Sequence, residues 1–205
     1  MMGPSQSGQT KSPEDRFWAW FTKNQDALYS FERNQEAIFN DLLHELHKVH
    51  RDLTFEFGPE INNQREFVIS AGGVKNVFPA VISLANTAPA LPKWKITKFR
   101  PRREEISTIT IENVSVSPEN VWFPIEQEGE KVNLILFLGN ERMFDKNIHG
   151  SIGFLFLDQI LGEYDVETFI GSIDFRPITD SPGMKKARLS ELRSTFDRIL
   201  KEKIN

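Results

Sequence analysis

A chain of 205 residues, 39% of them hydrophobic and 17 of them phenylalanine, carries enough apolar area for one sizeable core, and a single domain is the expectation. A net charge of −4 gives no global attraction to nucleic acid or to an anionic membrane, so nucleic-acid binding is disfavoured and any such contact must be local. The absence of cysteine excludes disulfides, thiolate catalysis, iron–sulfur clusters and cysteine-based zinc sites.

Residues 1–12 are polar and rich in Gly, Ser and Gln, and they read as a disordered tail ahead of an α+β domain spanning residues 13–205. They hold no apolar run of the kind a secretory signal needs, and later apolar runs such as Val132 to Leu138 fall short of the ~20 residues of a membrane span. A cytoplasmic protein without membrane contact is expected. Ser12-Pro13-Glu14-Asp15 has helix-start chemistry, with a capping hydroxyl, proline at the first helical position and acids at the positive end of the dipole. That first helix is predicted to run to about Tyr29. From Asn34 a second helix places Ile38, Leu42, Leu46 and Val49 on one face.

Leu53 to Phe57 and Arg65 to Ile69 alternate as strands, with Gly58-Pro59 and Asn62-Asn63 between them as turn residues, which predicts a hairpin. A short helix is predicted from Phe78-Pro79, ended by Pro89 and Pro92. Strands follow at Trp94 to Phe99, Ser107 to Ile111, Val121 to Ile125 and Val132 to Leu138. The last of these is apolar on both faces except for Asn133 and should lie central in its sheet. Ile152 to Leu161 is apolar almost all round a helix and predicts burial. Gly162 then reads as its stop, with the following acids in a turn. Phe169 to Phe175 gives another strand, and Arg188 to Ile204 an amphipathic last helix. Without regular βαβ alternation, these elements predict an α+β fold: a mixed or mostly antiparallel sheet of about six to eight strands with helices packed on it, one of them buried and apolar.

Phe17-Trp18-Ala19-Trp20-Phe21, Ala88-Pro89 with Trp94-Lys95 and Phe99-Arg100-Pro101, and Phe156-Leu157-Asp158 with Leu161-Gly162-Glu163-Tyr164-Asp165 together resemble a set of bacterial proteins without an assigned activity, some of which carry a downstream DUF695-type domain. The resemblance spans about residues 16–176 and implies a fold rather than a mechanism, so no catalytic residue follows from it. In this sequence the last helix has no such domain after it.

Four groups of residues are candidates for chemistry. His44, His47 and His50 lie within seven residues, and His44 with His47 at i, i+3 are the candidate metal ligands. Their spacing is one residue short of the H-E-x-x-H pattern, and a solvated helix face is the competing reading. Ser70-Ala71-Gly72-Gly73-Val74-Lys75 follows a strand where a backbone anion site can form, or is simply a turn that needs glycine angles. Asp158, Glu163, Asp165 and Glu167 form an acidic cluster suited to acid–base work or a hard cation, or else are structural anchors. His149-Gly150-Ser151 lacks the surroundings of an activated serine.

Between Lys93 and Glu105 the local net charge is +4, and Trp94, Lys98, Arg100 and Arg102 are the candidate binding residues. On a strand, Trp94, Lys98 and Arg100 share a face that suits an anionic ligand or an acidic protein; a basic edge strand that resists aggregation is the alternative. The functional expectation is a non-enzymatic binding or regulatory domain with a protein or anionic partner and no cofactor. Its alternative is a small metal-dependent or hydrolytic enzyme using His44 and His47 or the Asp158 cluster.

Overall fold

The computed structural model describes residues 11–180 and 183–201. The tail expected at 1–12 lies outside the described residues up to residue 10, as does the last helix beyond residue 201. The fold is α+β, with five antiparallel strand pairings and two parallel ones. Where a single domain is the sequence expectation, the chain divides into two compact units, the first ending at Phe99 and the second starting at Arg100. The strands accordingly form separate sheets of three, five and two strands rather than one.

In the first unit, helix α1 (Pro13–Tyr29) starts as its sequence dictates. Ser12 caps the backbone N–H of Asp15 at 3.0 Å, and the Asp15 carboxylate accepts from the Ser12 N–H in return. A 3₁₀ turn (Phe31–Arg33) leads into α2 (Gln35–His47). Strands β1 (Thr54–Ile61) and β2 (Gln64–Ser70) form the expected hairpin, but only Asn62-Asn63 makes its turn, with φ of 53° and 60°. Gly58-Pro59 instead lies inside β1, at a shift of register between Phe57 and Glu60, as suits a proline on a sheet edge. Helix α3 (Phe78–Asn86) then crosses over to β3 (Trp94–Lys98), which pairs parallel to β2 in the order β1-β2-β3.

The core of this unit is aromatic. Phe67 on the central strand is fully buried, with ring centroids of Phe21, Phe57, Phe17 and Trp18 at 5.0 to 6.3 Å. Trp18 donates its indole N–H to Leu84 O at 2.8 Å, so this buried tryptophan of α1 also satisfies a carbonyl in the last turn of α3.

The second unit contains the small hairpin β4 (Ile109–Ile111) and β5 (Val114–Val116), then β6 (Trp122–Phe123), β7 (Ile125–Glu128), β8 (Lys131–Phe137), α4 (Lys146–Leu161), α5 (Glu163–Phe169), β9 (Ile170–Arg176), β10 (Ala187–Arg188) and α6 (Leu192–Lys201). Strand β8 is central as expected, with β6 and β7 antiparallel on one edge and β9 parallel on the other. Pro124 divides the strand expected at Val121 to Ile125, because it has no N–H to give the ladder. Val132, Leu134 and Leu136 are buried in one core with Ile152, Phe156 and Leu157 of α4, the buried helix.

Helix α4 begins earlier than its apolar run, at the cap Asp145, whose carboxylate accepts from Asn147 N and Ile148 N. A methyl group at Gly153 would clash with the Phe175 ring, so glycine makes room on α4 for that β9 side chain. Gly162 stops α4 at φ 82° and at once caps α5, so Glu163 to Glu167 are helical rather than in a turn. Glu163 and Asp165 occupy the first turn of α5, where carboxylates complement the helix dipole. Among the described residues no helix is long and apolar enough to cross a membrane.

Candidate functional site

Two of the groups singled out in the sequence meet in the second unit and neutralise each other. Arg100 Nη1 lies 3.2 Å from Asp158 Oδ2 in an ion pair whose side chains are mostly buried. The Arg100 N–H donates to Glu163 Oε2 at 2.9 Å while its carbonyl accepts from Glu163 N at 3.0 Å, and Glu163 is fully buried. Arg102 uses all three of its guanidinium nitrogens: Nε donates to Leu161 O, Nη1 to Asp197 of α6, and Nη2 to Asp165 at 2.7 Å. Partial burial pulls the Arg102 pKa down, but its hydrogen bonds to Asp197 and Asp165 outweigh this and hold it above its ordinary value. Arg193 likewise donates to the carbonyls of Ile160, Arg103 and Gln159. The acidic cluster and Arg100 and Arg102 therefore form an internal lattice that ties the segment after residue 99 to α4, α5 and α6. Glu167, the fourth acid, is half-buried on α5.

The histidines stay apart from any such cluster. His44 and His47 are exposed on α2, and His50 accepts from Asp52 N at 3.2 Å. Among the described residues no group of three potential ligands is placed to hold a metal ion. At Gly72-Gly73 the first N–H of the turn is already spent on Ser70 Oγ at 3.0 Å. His149 is buried in the first turn of α4 beside Phe144, and the neighbouring Ser151 donates to Asn147 O. The second unit also contains a cleft of about 350 Å³ lined by Ile106, Ile160 and Leu189 together with Glu104, Arg188 and Arg193.

The basic segment is thus divided by role. Lys95 and Lys98 are exposed on β3, an edge strand, with Lys95 paired to Glu66 at 3.1 Å and Lys98 bonded to Asn86 at 3.3 Å. That is the arrangement of an edge guarded by charge. Trp94 does not face solvent with them. It is 4% exposed and packs edge-on against Phe21 and Tyr29.

Trp94 belongs instead to a cluster built around Arg65, which the sequence reading passed over. Arg65 stands opposite Trp94 in the β2–β3 register and is 8% exposed. Its guanidinium carbon lies 4.7 Å from the Phe31 ring centroid and 5.4 Å from that of Tyr29. One terminal nitrogen donates to Glu32 Oε1 at 2.7 Å, and that carboxylate side chain is 57% exposed. The Nε of Arg65 and the indole Nε1 of Trp94 are buried and meet no acceptor; among the described residues they are the two such side-chain atoms.

Charges around this cluster nearly balance. Lys93 reaches over Tyr29 and pairs with Asp26 at 3.4 Å. The hydrogen bond from its own backbone N–H, and then Arg65, hold Glu32 below the usual carboxylate range, with partial desolvation opposing. Burial, and then the Glu60 carboxylate, raise the Tyr29 phenol. A signal for Arg65 does exist in the sequence: it shares the phase of Phe67 and Ile69, so an arginine occupies a core-facing position of a strand. Comparison of the chain with protein families, curated proteins and solved structures finds no match.

Proposed function

We propose that this chain is a non-enzymatic binding or regulatory module whose partner, an acidic protein or an anionic ligand, presents a negatively charged group to it. The observation that carries this reading is the pair of buried N–H donors, Arg65 Nε and Trp94 Nε1, which face no acceptor although each unmet donor costs about 1–3 kcal/mol. A cation held among aromatic rings with donors unspent suits recognition of an oxygen acid. The acidic cluster favours the same reading, because Asp158, Asp165 and Asp197 are engaged by arginines and serve the fold.

Thermal denaturation of the full chain against a panel of probes tests this. A ligand that binds only the native state raises the melting temperature as its concentration rises. At least one of the anionic probes, namely simple carboxylates, phosphate and acidic peptides, is expected to do so. A flat response to all of them, with a rise on zinc, manganese or nickel, contradicts the reading and favours a metal-dependent activity.

A further inference from the structure

We propose that Arg65 and Trp94 form a carboxylate-binding site that the chain's own Glu32 now partly occupies, and that an incoming carboxylate displaces Glu32 to reach both unspent donors. This rests on the binding-module reading and adds the site and the chemical class to it.

Glu32 is a model of the ligand, since it already sets one carboxylate oxygen 2.7 Å from the guanidinium. It reaches only one of the three guanidinium nitrogens among the hydrogen bonds of Arg65, and leaves Nε empty. Carboxylates pair best with guanidinium through two parallel N–H···O bonds, so an acid free of the 3₁₀ turn has more to gain than Glu32 has. The carboxylate to be displaced is held at the surface. Glu32 is 57% exposed, and the three-residue turn that carries it contains no buried residue.

Charge selects a carboxylate over a phosphate. Arg65 and Lys93 face Glu32, Asp26 and Glu60 in this cluster. A monoanion that replaces Glu32 leaves the balance unchanged, whereas a phosphate near two negative charges adds repulsion to it. Phe31 and Tyr29, over which the guanidinium lies, favour a flat group in its plane. The acid can come from a small molecule, from an acidic side chain of a peptide or from a chain terminus.

The test is nuclear magnetic resonance of the ¹⁵N-labelled full chain, following the Arg65 Nε–H and Trp94 Nε1–H signals. Acetate, an amidated peptide with a central glutamate, a peptide with a free C-terminus and inorganic phosphate are added in separate titrations. Both signals are expected to move with at least one carboxylate, and the tightest of the three identifies the source. In Glu32→Gln the same carboxylate is expected to bind about tenfold more tightly, the gain if Glu32 holds Arg65 about nine-tenths of the time. Arg65→Lys, which has no Nε donor, is expected to lose at least tenfold. Movement with phosphate but with no carboxylate overturns the proposal. So do fixed signals in both the native chain and Glu32→Gln, the result for donors that meet only water or ring faces. If anionic probes raise the melting temperature while these two signals stay fixed, the site is wrong and the module reading stands.

Discussion

Two arginines, one in each unit, are held in opposite ways. Arg102 sits among carboxylates and carbonyls that take all three of its nitrogens, and its acids come from α5 and α6. Arg65 is more deeply buried, yet its one carboxylate is a surface side chain on a 3₁₀ turn and its Nε meets nothing. The two buried tryptophan indoles of the first unit differ in the same way: Trp18 donates to Leu84 O, whereas Trp94 donates to no acceptor. A network with every donor met fixes structure, while buried donors left open carry a standing cost that a ligand can remove. The difference separates a structural lattice from a candidate site better than charge or residue type does.

The sharpest way to break this comparison is Arg100→Met. It leaves Asp158, 8% exposed, without its guanidinium, and about 3 kcal/mol of unfolding free energy is expected to vanish in urea denaturation. Next come the indoles. Both Trp18→Phe and Trp94→Phe lose packing, but only the first loses a hydrogen bond, so it is expected to cost about 1 kcal/mol more. Arg65→Met keeps the length of the side chain and gives up an ion pair whose carboxylate is 57% exposed, together with an orphan donor. Its expected loss is under about 1 kcal/mol by the same denaturation, and a loss equal to that of Arg100→Met would erase the distinction.

The smallest effect is in pH. The Glu32 carboxyl is depressed in the folded chain, so what it adds to stability is present above its ordinary value near 4.3 and is lost as pH falls through the lowered value. Melting curves of the native chain and Glu32→Gln are expected to keep a constant separation above about pH 5 and to converge below about pH 4. Arg65 faces this group and its pairing is what the comparison reads; Asp26, Glu60, Tyr29 and Lys93 elsewhere in the cluster are the same in both chains and cancel from the difference.

Most of the fold was legible because its signals are local. The Ser12 cap, the Gly162 stop, the Asn62-Asn63 turn and the two-faced apolar run of β8 each act within a few residues. Strand β5 was missed because Glu112, at φ 53°, turns the hairpin where glycine or asparagine is the usual marker. Helix α5 was missed because a glycine that ends one helix also caps the next. The sequence reading set Trp94, Lys98 and Arg100 on one strand face and counted Arg102 with them as a binding residue. The roles of Trp94 and the two arginines were set by residues far along the chain, Asp158, Asp165 and Asp197 for the arginines and Arg65 for Trp94. Such partners follow from strand register and helix packing, which one sequence does not display. The aromatic and glycine motifs behind the expected resemblance fare similarly. Phe17, Trp18, Phe21, Phe156 and Leu157 are core side chains, and Gly162 is a helix stop.

The most direct measurement is a high-resolution crystal structure of the full chain grown with the carboxylate probe that moves the two signals at the lowest concentration. A carboxylate is expected within hydrogen-bond distance of both Arg65 Nε and Trp94 Nε1, with Glu32 turned out to solvent. Glu32 still on Arg65, with both donors facing only aromatic rings, would contradict it.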